Sequence, residues 1–250
     1  TMGRGRDLVL LHGWGMNAAV LEPFARSLAD DFRITMIELP GHGDSDYDAS
    51  LSSLDEWSQA LLQAAPEKAA WLGWSLGGQL AIKSALLAPE RVSALVLMAS
   101  TPRFVQDSEW LCALPAAVFH QFVGQLLANP ATTLSRFLAL QVRGSEHERE
   151  ILKQLKQAMG NTLEARTEAL ENGLQLLLDT DLRSAMKDLQ LPSLWLLGGK
   201  DTLVPAELGN KLSQLLPAAQ VQILQKAAHA PFMSHTDLCG KLIREFMDAN

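Results

Sequence analysis

Gly73-Trp74-Ser75-Leu76-Gly77-Gly78 places one serine among small residues, where the apolar run AAWL (69–72) gives way to QLAIKSALL (79–87), apolar at helical spacing. G-x-S-x-G between a strand and a helix is the pattern of a sharp elbow that lifts the serine hydroxyl above the end of a sheet. Glycine two residues to either side is required because a Cβ there would strike the neighbouring strand or helix. The start of a helix also gives Ser75 the positive end of a helix dipole. The alternative is a tight turn whose serine merely caps the helix.

Working outward, short apolar runs alternate with amphipathic stretches. DLVLLHG, RITMIELPG, AAWLGWS, SALVLMAS, SLWLLGGKD and VQILQKAAH read as strands, and TMGRGRDLVLLHG as a strand end, a glycine turn and a strand. AVLEPFARSLADD, SLDEWSQALLQAAP, SLGGQLAIKSALLAP and AELGNKLSQLLP read as helices, with Ser53 and Glu56 at capping-box spacing. Strands apolar on both faces, alternating with helices, imply an α/β fold with a mostly parallel central sheet covered on both sides. The alternation breaks from about Arg103 to Thr180, where VFHQFVGQLLA, ATTLSRFLALQ, EREILKQLKQAMG and EARTEALENGLQLLL follow one another without a good strand. The expected division is therefore residues 1–102 as the first part of a core, 103–180 as an inserted helical lid and 181–250 as the second part of the core. Such a lid would lie across the carboxyl edge of the sheet, where ligands bind.

Composition narrows the function classes. The 250 residues are 48% hydrophobic and 20% charged, the balance of an ordinary globular domain. A formal net charge of −7 argues against nucleic acid as a partner. Cys112 and Cys239, both in helical-looking segments, do not make a disulfide framework, so a reducing cytoplasm fits. The opening residues lack a signal-peptide pattern, and a few residues are expected to precede Thr1. No apolar run reaches membrane-spanning length. No metal and no cofactor is expected, and the expected state is a monomer.

A serine hydroxyl needs a base, and the base an orienting acid, in the chain order Ser, Asp or Glu, His. Of six histidines, His120 and His147 fall in the helical insertion and His12 and His42 precede the serine. His235 falls at the start of the final helix, where it caps or packs. His229, in KAAHAPFMSH after the last strand, has the right order and a loop position above the sheet edge. For the acid, Asp201 in GGKDTLVP follows the penultimate strand, whereas the end of SALVLMAS offers Ser100 and Thr101 but no carboxylate. A turn residue is the alternative reading of Asp201, and Lys200 beside it reads as a solvated charge. The developing oxyanion needs donors. Leu76 N–H, directly after the serine, is one candidate. Trp14 N–H in LLHGWGMN is the other, with its indole as pocket wall and His12 as a structural loop residue. The PGHGDS loop (40–45) lacks a phosphate-binding lysine, so it is not read as a phosphate cradle.

LVLLHGWGMN, ELPGHGDS, GWSLGG, GGKDTLVP and KAAHAPF, in this order, resemble the α/β-hydrolase superfamily over essentially the whole chain. HGWG, WLGWSLGG, RFLALQ and KAAHAPFMSH further resemble the pimeloyl-[acyl-carrier protein] methyl ester esterase family of biotin synthesis. That resemblance implies a substrate carried on acyl-carrier protein, its distal carboxyl masked as a methyl ester. It implies attack by Ser75, and substrate contacts from Trp14, Ser75, Leu76, Phe137, Leu138, Ala139, Leu140, Gln141 and His229. Without the resemblance, Phe137 and Leu140 read equally as lid-helix core.

The resemblance also implies lid arginines that hold the carrier, namely Arg136, Arg143 and Arg149. Residues 101–180 hold seven Lys or Arg against nine Asp or Glu, so the insertion is not basic overall. Arg136 to Lys156 is locally basic, with Arg136, Arg143, Arg149, Lys153 and Lys156 against Glu146, Glu148 and Glu150. That stretch reads as a carrier-steering patch or as a solvated face with paired charges. Two other function classes stand beside the carrier-linked esterase. One is a general short-chain carboxylesterase or carbon–carbon bond hydrolase; the other is a ligand receptor that kept the fold.

Overall fold

The computed structural model describes residues 1–160 and 165–250. Its strands are β1 (Met2–Gly3), β2 (Arg6–Leu11), β3 (Phe32–Ile37), β4 (Ala69–Trp74), β5 (Val92–Met98), β6 (Ser193–Gly198) and β7 (Gln220–Leu224). Among the described residues they form one seven-stranded sheet in the order β1-β3-β2-β4-β5-β6-β7. Only the short β1 runs antiparallel; every other pairing is parallel. In the middle of the sheet Leu8 pairs with Ala70 and Leu72 with Val96, so β4, which leads into the elbow, is flanked on both sides.

Alternate residues of each strand feed two cores, as the two-residue period of a strand requires. Leu8, Leu10, Leu72 and Val96 pack with Phe24 and Leu28 of α1 (Glu22–Leu28) and Ile243 and Phe246 of α10 (Thr236–Asp248), which follows the short α9 (Pro231–Ser234). Val9, Leu11, Trp71 and Leu95 pack instead with Trp57 of α2 (Leu54–Ala64), Leu80 of α3 (Leu76–Leu87) and Leu212 of α8 (Leu208–Leu215). The expected capping box closes the start of α2. Ser53 N–H donates to Glu56 Oε2 at 2.9 Å, and Glu56 N–H donates to Ser53 Oγ at 3.2 Å.

Between β5 and β6 lie α4 (Ala116–Ala128), α5 (Pro130–Val142), α6 (Glu148–Gly160) and α7 (Thr167–Asp179). Glu164, with which the stretch EARTEALENGLQLLL begins, lies outside the described residues. The two ends of this helical segment are pinned together. Arg183 donates to Asp107 and Asp181 at 2.7 and 2.6 Å, Arg103 donates to Asp181 at 2.8 Å, and the Arg183 guanidinium lies 5.4 Å from the Trp110 ring centre. One sequence expectation fails here. Cys112 lies in the irregular stretch between β5 and α4 and not in a helix, because Trp110 and Leu114 are tied into isolated bridges with Asp107 and Val105. Cys239 is in α10, where burial pushes its thiol up to about 12.

Candidate active site

Ser75 sits at φ 57°, ψ −120°, the left-handed side that a non-glycine residue adopts only when its surroundings impose it. The surroundings do so tightly. A Cβ on Gly73 would fall 2.3 Å from Gly77 O, one on Gly77 2.5 Å from His12 O, and one on Gly78 2.4 Å from Ser100 Oγ. Ser75 N–H donates to Met98 O at 3.0 Å, and its carbonyl accepts from Gly78 N–H at 2.9 Å and Ser100 Oγ at 2.8 Å. Ser100, which sequence reading weighed only as a site for the acid, is thus a brace of the elbow.

His229 and Asp201 reach Ser75 from the loops after β7 and β6. Ser75 Oγ lies 3.0 Å from His229 Nε2, and His229 Nδ1 lies 2.7 Å from Asp201 Oδ2. The other Asp201 oxygen accepts from Leu203 N–H at 2.8 Å and Val204 N–H at 3.0 Å, so the carboxylate is fixed by its own turn. A carboxylate beside Nδ1 leaves the proton there and the lone pair on Nε2, facing the serine hydroxyl. Trp74 Nε1 donates to His229 O at 2.7 Å, and Ala230 N–H donates to Gln141 O at 3.0 Å, which ties the histidine loop to β4 and α5. Ser75, Asp201 and His229 are all buried. Such a hydroxyl–imidazole–carboxylate line is the arrangement that acyl transfer by a serine requires of a nucleophile, a base and an orienting acid.

Beside the serine lies an apolar cavity of about 630 Å³, mouth included. Trp14, Ser75, Phe137, Leu140 and His229 line it, together with Phe104, Leu114, Val118, Phe119, Phe122, Leu174, Leu177 and Leu203. Of the substrate contacts expected from the resemblance, Leu76, Leu138, Ala139 and Gln141 are outside this lining. Leu138 packs into the core of the α1 and α10 face, and Gln141 is buried, its amide donating to Phe137 O at 3.0 Å. The apolar stripes of α4 and α7 were legible in the sequence, but nothing in their period says which stripe faces a ligand.

Trp14 is clasped by the helical segment. Its indole N–H donates to Leu170 O at 2.8 Å, and its ring meets Phe137 and Phe122 edge-on, centres 5.0 and 5.6 Å away. Its loop presses on Ser75, since a Cβ on Gly13 would lie 3.2 Å from Ser75 Cβ. Among the described residues, neither Trp14 N–H nor Leu76 N–H donates to a turn, loop or cap acceptor.

The basic stretch is on the surface. Arg136, Arg143, Arg149, Lys153 and Lys156 are exposed, and none is in an ion pair among the described residues. Two of their three acidic neighbours are engaged elsewhere: Glu146 pairs with Lys226 at 2.7 Å, and Glu148 accepts from Gly144 N–H at 2.8 Å. Lys200 is exposed beside Gly144. His120, His147 and His235 lie away from the cavity lining. Among the described residues no three His, Cys, Asp or Glu converge to hold a metal, and no helix is long and apolar enough to cross a membrane.

Comparison with known proteins gives the same frame. The family model for the alpha/beta hydrolase fold matches residues 8–236. A pimeloyl-[acyl-carrier protein] methyl ester esterase of Photobacterium profundum is 44% identical over 247 residues, covering 99% of this chain and 96% of that protein. The protein of the same name from Stenotrophomonas maltophilia is 41% identical over 247 residues, covering 99% and 95%. Among solved structures, an esterase from Exiguobacterium antarcticum superposes with a TM-score of 0.89 at 20% identity, over 99% of this chain and 93% of that one, a likeness of fold. By fold and by these full-length relatives, the chain belongs to the alpha/beta hydrolase family, in the branch that holds the pimeloyl-[acyl-carrier protein] methyl ester esterases.

Proposed function

We propose that the chain is a serine carboxylesterase that hydrolyses the methyl ester of pimeloyl-[acyl-carrier protein] to the free acid and methanol, in the cytoplasm. The observation that carries the reading is the continuous hydrogen-bonded line Ser75–His229–Asp201 opening on an apolar cavity. The names of the full-length relatives supply the substrate.

In this reading Ser75 Oγ attacks the ester carbonyl while His229 Nε2 takes the hydroxyl proton. Asp201 holds the imidazolium that results. The tetrahedral oxyanion forms against Trp14 N–H and Leu76 N–H, donors whose contribution runs to about 3–4 kcal/mol each in comparable sites. His229 then returns the proton to departing methanol, and water repeats the sequence to release the acid. An uncharged methyl ester on an aliphatic chain suits a cavity whose lining, apart from Ser75 and His229, is entirely apolar.

Arg136, Arg143 and Arg149 are read as contacts for the carrier, supported by their exposure and lack of acidic partners among the described residues. Residues 103–180 are read as a lid over the cavity, since α4, α5 and α7 supply much of its wall. Two buried free thiols suit a reducing compartment. A general short-ester hydrolase is the second reading, favoured by the same lining, which holds no group specific to a carrier-linked chain. Turnover of the purified carrier methyl ester beside short p-nitrophenyl esters separates the two.

A further inference from the structure

Trp14 stands between Gly13 and Gly15, and glycine on both sides makes either of its peptide bonds easy to turn over. A flipped Gly13–Trp14 peptide would present a carbonyl where the oxyanion needs an N–H. Two buried histidines outside the Ser75–His229–Asp201 line act on these two bonds.

The first is His12. Gly13 O lies 2.9 Å from His12 Nδ1 and also accepts from Met16 N–H at 3.2 Å. A carbonyl only accepts, so Nδ1 carries the proton. In a trans peptide the C=O and N–H point opposite ways, so holding the Gly13 carbonyl from behind sets the direction of Trp14 N–H. On its far side, His12 Nε2 accepts from Leu39 N–H at 3.0 Å and lies 2.9 Å from Glu38 Oε2. With Nε2 taken up on that side, the Nδ1–H is left to hold Gly13 O. Glu38 is itself held by Ala18 N–H at 2.9 Å.

The second is His42. Gly15 N–H donates to His42 Nε2 at 3.4 Å, while His42 Nδ1 donates to Pro40 O at 3.0 Å. The ring is fully buried, 5.5 Å from His12 and edge-on to Trp57 at 6.1 Å. Burial first, and His12 second, push its pKa down to about 3, so Nε2 keeps its lone pair at neutral pH.

We propose that His12 and His42 are positioning residues of the ester-hydrolysing site, each fixing one peptide bond of Trp14 so that its N–H faces the oxyanion. The proposal rests on the reading of Ser75 as the nucleophile of an ester hydrolase. Its test uses the full chain, p-nitrophenyl acetate as a soluble substrate, and a trifluoromethyl ketone whose adduct with Ser75 carries the oxyanion. His12→Ala is expected to lower kcat by about 10- to 100-fold, less than the roughly 10²- to 10³-fold loss of a deleted donor, with KM nearly unchanged. Affinity for the ketone should fall by the same factor. His12→Asn, which returns an N–H donor near the Nδ1 position, should recover most of the loss. His42→Leu should lower kcat by about 5-fold or more on the same grounds, and His42→Gln, with an acceptor near Nε2, should recover it.

A folded His12→Ala protein with kcat within about twofold of the parent, or a kcat loss with no matching loss of ketone affinity, overturns the proposal. If His12→Ala does not fold, His12→Gln fills the space with its amide at the Nε2 position and is read the same way. Ser75→Ala is assayed alongside: unchanged turnover there would remove the reading of the site itself, a failure distinct from unchanged turnover in the histidine variants.

Discussion

Ser75 and His229 are 154 positions apart in the chain and 3.0 Å apart in space, Oγ to Nε2. The strained turn that brings this about is the same one that forces glycine at positions 73 and 77. Replacing Ser75 by Ala removes one hydroxyl and disturbs none of the backbone bonds that hold the elbow. Ser75→Ala is therefore expected to keep its melting temperature and lose turnover by several orders of magnitude, measured with p-nitrophenyl acetate. Wild-type turnover in the purified variant would remove Ser75 from the chemistry.

Asp201→Asn keeps the shape of the loop but loses the charge beside His229 Nδ1. Turnover should fall by roughly 10³- to 10⁴-fold with little change in KM. A loss under about tenfold would point to another carboxylate as the acid.

Gly77→Ala tests how tightly the elbow is closed, read by stability. Its Cβ would sit 2.5 Å from His12 O and 2.7 Å from Leu11 O, against backbone that cannot swing aside. A loss of at least about 1–3 kcal/mol is expected by urea unfolding, the range for overpacked cores. An unchanged midpoint would mean the elbow is looser than its contacts imply.

Stability should also report His42. Its pKa is held near 3, below the ordinary histidine value of 6.5, chiefly by burial. Between these values the unfolded chain binds more protons than the native one, so stability is full above about pH 6.5 and is lost as the pH falls toward 3. Urea midpoints from pH 7.5 down to 5 should decline in the parent and decline less in His42→Gln. Equal slopes would mean other groups carry the acid sensitivity.

Much of this was legible before the fold. Strands buried on both faces read as unbroken apolar runs, and Ser75, Asp201 and His229 sit in motifs whose chemistry restricts the residue type. Other parts depend on long-range packing that leaves no local trace. VQILQKAAH reads as one strand, but β7 stops at Leu224, where Ala227 N–H turns back onto the Leu224 carbonyl and starts the loop that carries His229. Phe119, Phe122 and Leu174 reach the cavity from helices whose period announces an apolar face but not what it faces. Cys112 reads as helical because its neighbours are apolar, while isolated bridges hold its segment irregular. Ser100 reads only as a strand end without a carboxylate, and its use as a brace follows only from the elbow's three-dimensional closure.

The arginines separate a carrier-linked esterase from a general one. Arg136, Arg143 and Arg149 are exposed, so their removal should slow docking and leave acyl chemistry alone. The triple Arg→Ala variant should lose activity on the carrier-bound ester and keep it on p-nitrophenyl acetate. Added salt should act on the parent in the same selective way, because exposed charges are screened over about 8 Å at physiological ionic strength. Equal losses on both substrates would make the arginines supports of the helical segment.

The most direct measurement is kcat/KM of the purified protein on the methyl ester of pimeloyl-[acyl-carrier protein], with methanol release as the readout and a short p-nitrophenyl ester beside it. A carrier-linked esterase is expected to release methanol in step with free acid, at a kcat/KM well above that for the short ester, and its Ser75→Ala variant none. Turnover of the short ester with no methanol from the carrier-linked substrate would contradict it.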